Sequence, residues 1–316
     1  MTNSPIRPIC LVFLAASLAA AVEPGEPSKT ALSAEVWRAA GCKDPNPKLR
    51  NPDYLAEKFL GPREREAFKS AVSLLPDIPK NVLDLDWDAM VQRVSPPGEI
   101  YRMTARTKYF DDALLKALRD GARQVVILGA GFDSRGYRFR KELGSAGFFE
   151  VDYGPTQEYK KLRLKETLGR VPENVHFIAM DFTKDDLLTQ LSKGGYSEKE
   201  KSFFVWEGVV AYLPESAVKE TLHFVRDHSP AGSRLAFNYP LEGDSSGRNH
   251  HSSFAIWGEP RVFGMPVGGT VAFLHNEGLD VVSDVSLMDL LKKYELPTAD
   301  QANERRFCLA GVPAKP

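Results

Sequence analysis

The chain of 316 residues has little cysteine, almost no charge imbalance and no apolar run of full membrane length. Its three cysteines, Cys10, Cys42 and Cys308, form no C-x-x-C pair. That argues against a zinc knuckle or a thioredoxin-like site, and no metal site is expected. If the first segment is removed on export, Cys42 and Cys308 remain and could pair. Two separate buried thiols is the simpler reading, since free cysteine is among the most buried residue types. Lys and Arg number 41 against 42 Asp and Glu, a formal net charge of -1, with no long run of one sign. A nucleic-acid footprint needs clustered basic residues, so no nucleic-acid partner is expected. Internal repeats and low-complexity tracts are also missing, and no protein partner is evident. What remains is ordinary for a soluble globular protein: 43% hydrophobic and 26% charged residues. The length suits one large α/β domain or two small ones, with enough chain to bury a sizeable core.

The N-terminus needs its own reading. Arg7 precedes ICLVFLAASLAAAV, residues 9–22, and then EPGEPS begins. A basic start, an apolar run and Ala19-Ala20-Ala21 match a secretory signal peptide or an N-terminal anchor. The run falls short of the about 20 residues that a membrane span needs. A mis-assigned start upstream of a cytoplasmic protein is the other reading, and the sequence leaves both open. Residues 23–32 read as a linker and 33–316 as a single domain.

Residues 33–121 read as a helical cap. LSAEVWRAA has helical spacing, DYLAEKFLG is a short helix, and EREAFKSAVSLL repeats apolar residues at Phe68, Val72 and Leu75. TARTKYFDDALLKALRDG, residues 104–121, is an amphipathic helix ended by Gly121. After Gly121 strand and helix patterns alternate: QVVILG, then SRGYRFRKEL, GFFEVD, PTQEYKKLRLKETLG, VHFIAMD, KDDLLTQLSKGG, SFFVWEG, PESAVKETLHFVRDH and GSRLAFNYP. Such alternation predicts a mostly parallel sheet with helices on both faces. A glycine- and proline-rich insert spans 241–266, and ERRFCLAGVP reads as a last strand. About seven strands result.

The chemistry gathers at the strand tips. In VVILGAGFDSRGYRF a strand runs into Gly129-Ala130-Gly131. The first glycine allows a tight turn and the second lets a ligand approach bare backbone. A dinucleotide fingerprint puts Gly or Ala where Ser134 stands, and Asp133 would repel a pyrophosphate. S-adenosylmethionine carries a sulfonium and an ammonium and no phosphate, so an acidic loop suits it better than NAD. Asp152 ends the next strand at the spacing expected for a ribose-binding carboxylate. It supports a nucleoside without choosing between the two cofactors, and a helix N-cap is its plainer role. Asp181-Phe182 suits an adenine, the acid taking the exocyclic N–H and the ring stacking; an N-cap is again the plainer role. Glu207-Gly208 ends the fourth strand. Open α/β sheets bind ligands at these carboxyl ends.

LGAGFDSRGYRF, FFEVDYGPTQEYKKLRL, AMDF and WEGVVAYLPESAVKETLHFV together resemble the leucine carboxyl methyltransferase family, in its bacterial branch of S-adenosylmethionine-dependent methyltransferases. The resemblance runs from about Thr30 to Val312. It implies a class I (Rossmann-like) methyltransferase fold with a helical N-terminal cap, and S-adenosylmethionine as cofactor. It implies that Arg106 grips the donor's carboxylate, that Gly129, Ala130 and Gly131 pass beneath the methionine part, and that Asp152 holds the ribose. Asp181 and Phe182 would frame the adenine, and Glu207 would lie near the donor's amino end. Without the resemblance Arg106 reads as a solvated helix charge. Because the donor is made inside cells, cofactor need points to the cytoplasm, against the signal-like start.

The implied reaction is O-methylation of a carboxyl or hydroxyl group on a small-molecule acceptor. A carboxylate needs no base, whereas a hydroxyl does. His250, His251 and His223 are candidates, with surface histidine as their plainer role. The insert would cover the acceptor pocket, and Arg248 or Tyr212 could hold an acidic acceptor. The alternatives are an NAD-dependent oxidoreductase and a catalytically silent donor-binding protein.

Overall fold

The computed structural model describes residues 28–96, 98–180, 185–243, 258, 260–298 and 305–314. It begins with helices. In α1 (Lys29–Cys42) the Ser28 side chain accepts the Ala31 N–H. That cap makes residues 29–32 the first turn of a helix rather than part of a linker. α2 (Ala56–Phe59) and α3 (Pro62–Ser73) follow, with Pro62 in the first turn of α3, where its missing N–H costs nothing. A 3-10 turn, Lys80–Asp84, and α4 (Trp87–Val94), capped by Asp86, have no counterpart in the sequence reading. α5 (Glu99–Arg119) starts a turn earlier than Thr104. Leu32, Val36, Phe68 and Met90 close a small core among α1, α3 and α4.

Then come β1 (Gln124–Leu128), α6 (Arg135–Arg138), α7 (Arg140–Leu143), β2 (Gly147–Asp152), α8 (Gly154–Leu168) and β3 (Val175–Ala179). They are followed by α9 (Leu187–Lys193), β4 (Ser202–Trp206), a 3-10 turn Val210–Tyr212, α10 (Glu215–Asp227) and β5 (Arg234–Pro240). α11 (Thr270–Asn276), β6 (Asp280–Ser286), α12 (Leu287–Lys293) and β7 (Arg305–Gly311) complete the order. The single helix expected over SRGYRFRKEL is two short ones, separated at Phe139, whose φ of -103° and ψ of 25° leave the helical region.

The strands form one seven-stranded sheet in the order β3-β2-β1-β4-β5-β7-β6. β1 to β5 pair in parallel, and β7 lies antiparallel between β5 and β6. Both faces are covered, which is why the central strands are apolar throughout. Val126 and Leu128 face one core with Phe204, Trp206 and Leu222. Val125 and Ile127 face the other with Phe110, Leu114 and Phe307. The chain winds outward from β1 to β3, then restarts at β4 on the other side of β1. That reversal opens a crevice at the carboxyl ends of β1 and β4, where such sheets hold ligands. Phe132, in the glycine loop, packs with Leu55 and Phe59 of α2 and Leu164 of α8, so the cap is fastened to the loop itself.

Cys42 and Cys308 are both free thiols. Cys42 Sγ donates to the Asp53 carbonyl at 3.0 Å, while Cys308 is buried in β7. Among the described residues no helix is long and apolar enough to cross a membrane.

Candidate functional site

The crevice widens into a cavity of about 1100 Å³. The glycine loop is its floor. Gly129 and Gly131 take φ of 70° and 44°, in the left-handed region that glycine adopts without strain. A Cβ on Gly129 would stand 2.6 Å from Val209 Cγ2, whereas one on Gly131 would meet nothing nearer than Ala31 Cβ at 3.7 Å. Ala31, Ala34 and Trp37 of α1 line the opposite wall, so the cap completes the enclosure.

Asp152 sits beside this floor. Its Oδ2 accepts the Gly131 N–H at 2.5 Å and its Oδ1 accepts the Tyr153 N–H at 2.7 Å. Burial pushes its carboxyl above the ordinary value, while those two N–H groups oppose the rise. The carboxylate ties the loop after β1 to the tip of β2 and keeps a lone pair on each oxygen for a ligand.

Arg106 is not a solvated helix charge. Its Nε donates to Glu207 Oε1 at 2.6 Å, from α5 to the tip of β4. Its guanidinium lies over Gly208, where a Cβ would come 2.8 Å from Nη2. Glu207 Oε2 is 2.8 Å from Arg135 Nη1. Burial alone would raise the Glu207 carboxyl, but Arg135, Arg106 and Arg38 pull it down to about 2. It is therefore a carboxylate over the whole physiological range. Arg106, Gly129, Ala130, Gly131, Asp152 and Glu207 all line the one cavity. Asp181 and Phe182 lie outside the described residues, as do His250, His251 and Arg248.

One expectation changes. Asp133 does not leave a charge for a ligand: it accepts the Arg135 backbone N–H at 2.8 Å and is also ion-paired to that guanidinium. An acidic loop is therefore not what selects the cofactor. His223, the ninth residue of α10, lines the cavity, and its Nε2 lies 2.6 Å from Glu277 Oε2. The sequence reading passed over Asn238 and Arg305. Asn238 Oδ1 accepts the Gly208 N–H at 2.8 Å, which leaves its NH₂ as a donor at the cavity wall. Arg305 stands opposite Pro240 in the β5–β7 ladder, on the same sheet face as Asn238. Only the antiparallel pairing of β7 brings these two together, and no local pattern encodes it. Arg135 also escaped notice, although Asp133-Ser134-Arg135, just past the glycine loop, was a visible sign of a short-range ion pair.

The lining thus presents bare backbone at the glycine loop, an acceptor carboxylate at Asp152, and opposite charges at Arg106 and Glu207. A ligand with a nucleoside at one end and a zwitterion at the other fits this set.

The family model described as leucine carboxyl methyltransferase matches residues 31–226. A Bacillus subtilis protein with the provisional name S-adenosyl-L-methionine-dependent methyltransferase YktD is 30% identical over 227 residues, covering 69% of this chain and 72% of that one. A Mycobacteroides abscessus protein, also provisionally named an S-adenosyl-L-methionine-dependent methyltransferase, is 33% identical over 207 residues, covering 66% of this chain and 62% of that one. Among solved structures, a DUF574 family protein from Streptomyces avermitilis superposes with a TM-score of 0.57 at 14% identity, over 89% of this chain and 97% of that one. At that identity the likeness shows the fold alone. None of these comparisons supports the NAD-dependent alternative.

Proposed function

The chain belongs to the leucine carboxyl methyltransferase family, and from that premise we propose that it methylates a carboxylate oxygen of a small-molecule acceptor. The class I fold, the methyltransferase activity and S-adenosylmethionine as cofactor come with the family. The acceptor and the residue roles are our reading. Bound S-adenosylmethionine would supply an electrophilic methyl group for in-line attack by an acceptor oxygen, the C–O bond forming as the C–S bond breaks and S-adenosylhomocysteine leaving as a neutral thioether. The protein's part is alignment and exclusion of water.

Asp152 takes the ribose hydroxyls on its remaining lone pairs. Arg106, held at Nε by Glu207, offers its Nη groups to the donor's carboxylate. Glu207 receives the donor's ammonium. Asp181 and Phe182 are assigned the adenine.

The observation that carries the carboxylate is the pairing of Asn238 and Arg305 on one cavity wall, next to Gly208. An amide N–H and a guanidinium suit an anion, and a carboxylate acceptor needs no base. The test is incubation with methyl-tritiated S-adenosylmethionine and pools of small acids and alcohols, followed by mild alkali. A methyl ester releases volatile tritiated methanol. Label that stays fixed in alkali means a hydroxyl acceptor instead, and donor binding without any label means a silent binder.

A further inference from the structure

Arg135 does not line the cavity, yet three carboxylates converge on it. Its Nε is 2.8 Å from Asp111 Oδ1, its Nη1 is ion-paired to Asp133, and the same Nη1 is 2.8 Å from Glu207 Oε2. Its guanidinium lies 5.5 Å from the centre of the Phe110 ring, and the side chain is 1% exposed. Such a residue resembles structural cement. Its partners suggest more. Glu207 is clamped between two guanidiniums, Arg106 from the cap helix α5 and Arg135 from the first position of α6. One faces the cavity and the other stands behind the wall.

We propose that Arg135 is a positioning residue for the donor: from behind the cavity wall it holds Glu207 Oε2 and so sets the direction in which that carboxylate meets the donor's amino-acid end. This rests on the reading that Arg106 and Glu207 take that end. A carboxyl group buried at a strand tip tends to hold its proton. A protonated Glu207 would lose the charge that orders Arg106 and would no longer attract an ammonium. Arg106 cannot do both tasks alone, because its Nη groups are needed for the donor's carboxylate. The groups facing Glu207 are Arg106 from α5, Arg135 from α6, and Arg38 from α1, with Asp133 and Asp111 adding negative charge nearby. Without Arg135, three buried acids would share the remaining arginines.

The test compares two thioethers that differ only at that end. S-adenosylhomocysteine carries the amino acid, and methylthioadenosine lacks it. Calorimetric titration of the full chain with each covers wild type, Arg135→Met, Arg135→Lys, Glu207→Gln and the Met/Gln double variant, from about pH 5.5 to about pH 8.5; histidines titrate in that window in every variant, so the reading is the difference between variants and between the two ligands at each pH. Arg135→Met weakens S-adenosylhomocysteine by about tenfold or more, the loss of one charged contact, and leaves methylthioadenosine within about twofold. The loss deepens as pH falls for S-adenosylhomocysteine only. The double variant binds no more weakly than Glu207→Gln, because Arg135 acts through Glu207. Arg135→Lys keeps a charge without the fork and shows the same split at smaller amplitude, which carries the test if the Met variant does not fold. Equal weakening of both ligands, or losses that multiply in the double variant, would reduce Arg135 to a purely structural role and overturn the proposal. A wild type that does not distinguish the two ligands removes the underlying reading, and the proposal with it.

Discussion

Replacing Gly129 with alanine should harm the protein far more than the same change at Gly131, two residues on. Both glycines lie at positive φ, so each alanine carries the left-handed backbone cost of about 1–2 kcal/mol. Only at Gly129 does the new methyl also strike something, Val209 Cγ2 at 2.6 Å. Overpacking of that kind costs a further about 1–3 kcal/mol. At about 2–4 °C per kcal/mol for a domain of this size, the extra cost lowers the melting temperature by roughly 2–12 °C beyond Gly131→Ala. Circular-dichroism melts of both single variants read this directly. Val209→Ala removes the struck methyl and should restore most of the difference, leaving only the backbone part. If Gly131→Ala is as damaging as Gly129→Ala, or if Val209→Ala restores nothing, then the Gly129–Val209 contact is not what requires glycine there.

Asp152→Ala should weaken S-adenosylhomocysteine by about 100-fold or more, since two hydroxyl contacts to a carboxylate are lost at about 1.5–3 kcal/mol each; calorimetry showing less than about tenfold would take Asp152 away from the ribose. Glu207 also predicts a pH effect on stability. Its folded value is depressed to about 2 from 4.5, so its contribution is full above the ordinary value and is lost as pH falls towards about 2. The effect is on the order of 3 kcal/mol, and Glu207→Gln should flatten the acid-unfolding profile across that window; identical slopes for variant and wild type would refute the assignment. His223→Gln should leave the rate of methyl transfer and its pH profile unchanged, because that ring is held by Glu277; a profile that loses a limb near neutral pH would make His223 a base after all.

The glycine loop and the tips of β2 and β4 were legible because parallel strands covered on both faces leave unbroken apolar runs, and the residue after each run must be a tip. Local signals also gave α3, by its apolar spacing, and α8, by the proline in its first turn. Where the sequence misled, the cause was local chemistry read too simply. Residues 29–32 looked like a linker because Ser28, Lys29 and Thr30 are polar, but Ser28 is a cap. Asp133 looked like a ligand-facing acid because its neutraliser, Arg135, lay two residues away and was not considered. What stayed hidden was long-range. The Arg106–Glu207 pair spans 101 residues, and it took the family resemblance to give Arg106 a role at all. Asn238 and Arg305 meet only because a late strand enters the sheet backwards.

That late strand has a consequence for how the chain is made. β5 and β6 are never neighbours; β7, which leaves the ribosome after both, slots between them. Until it emerges, each of the two earlier strands presents an open row of backbone N–H and C=O groups, and open edges invite pairing with other chains. The nascent protein therefore holds the β5 edge open from Pro240 onward and adds an unpaired β6 from Ser286, until Arg305–Gly311 arrive. Its vulnerability to misassembly is greatest just before translation of this strand ends. A lesion anywhere in Arg305–Gly311 would leave the sheet split and prolong that exposure rather than merely trim an end.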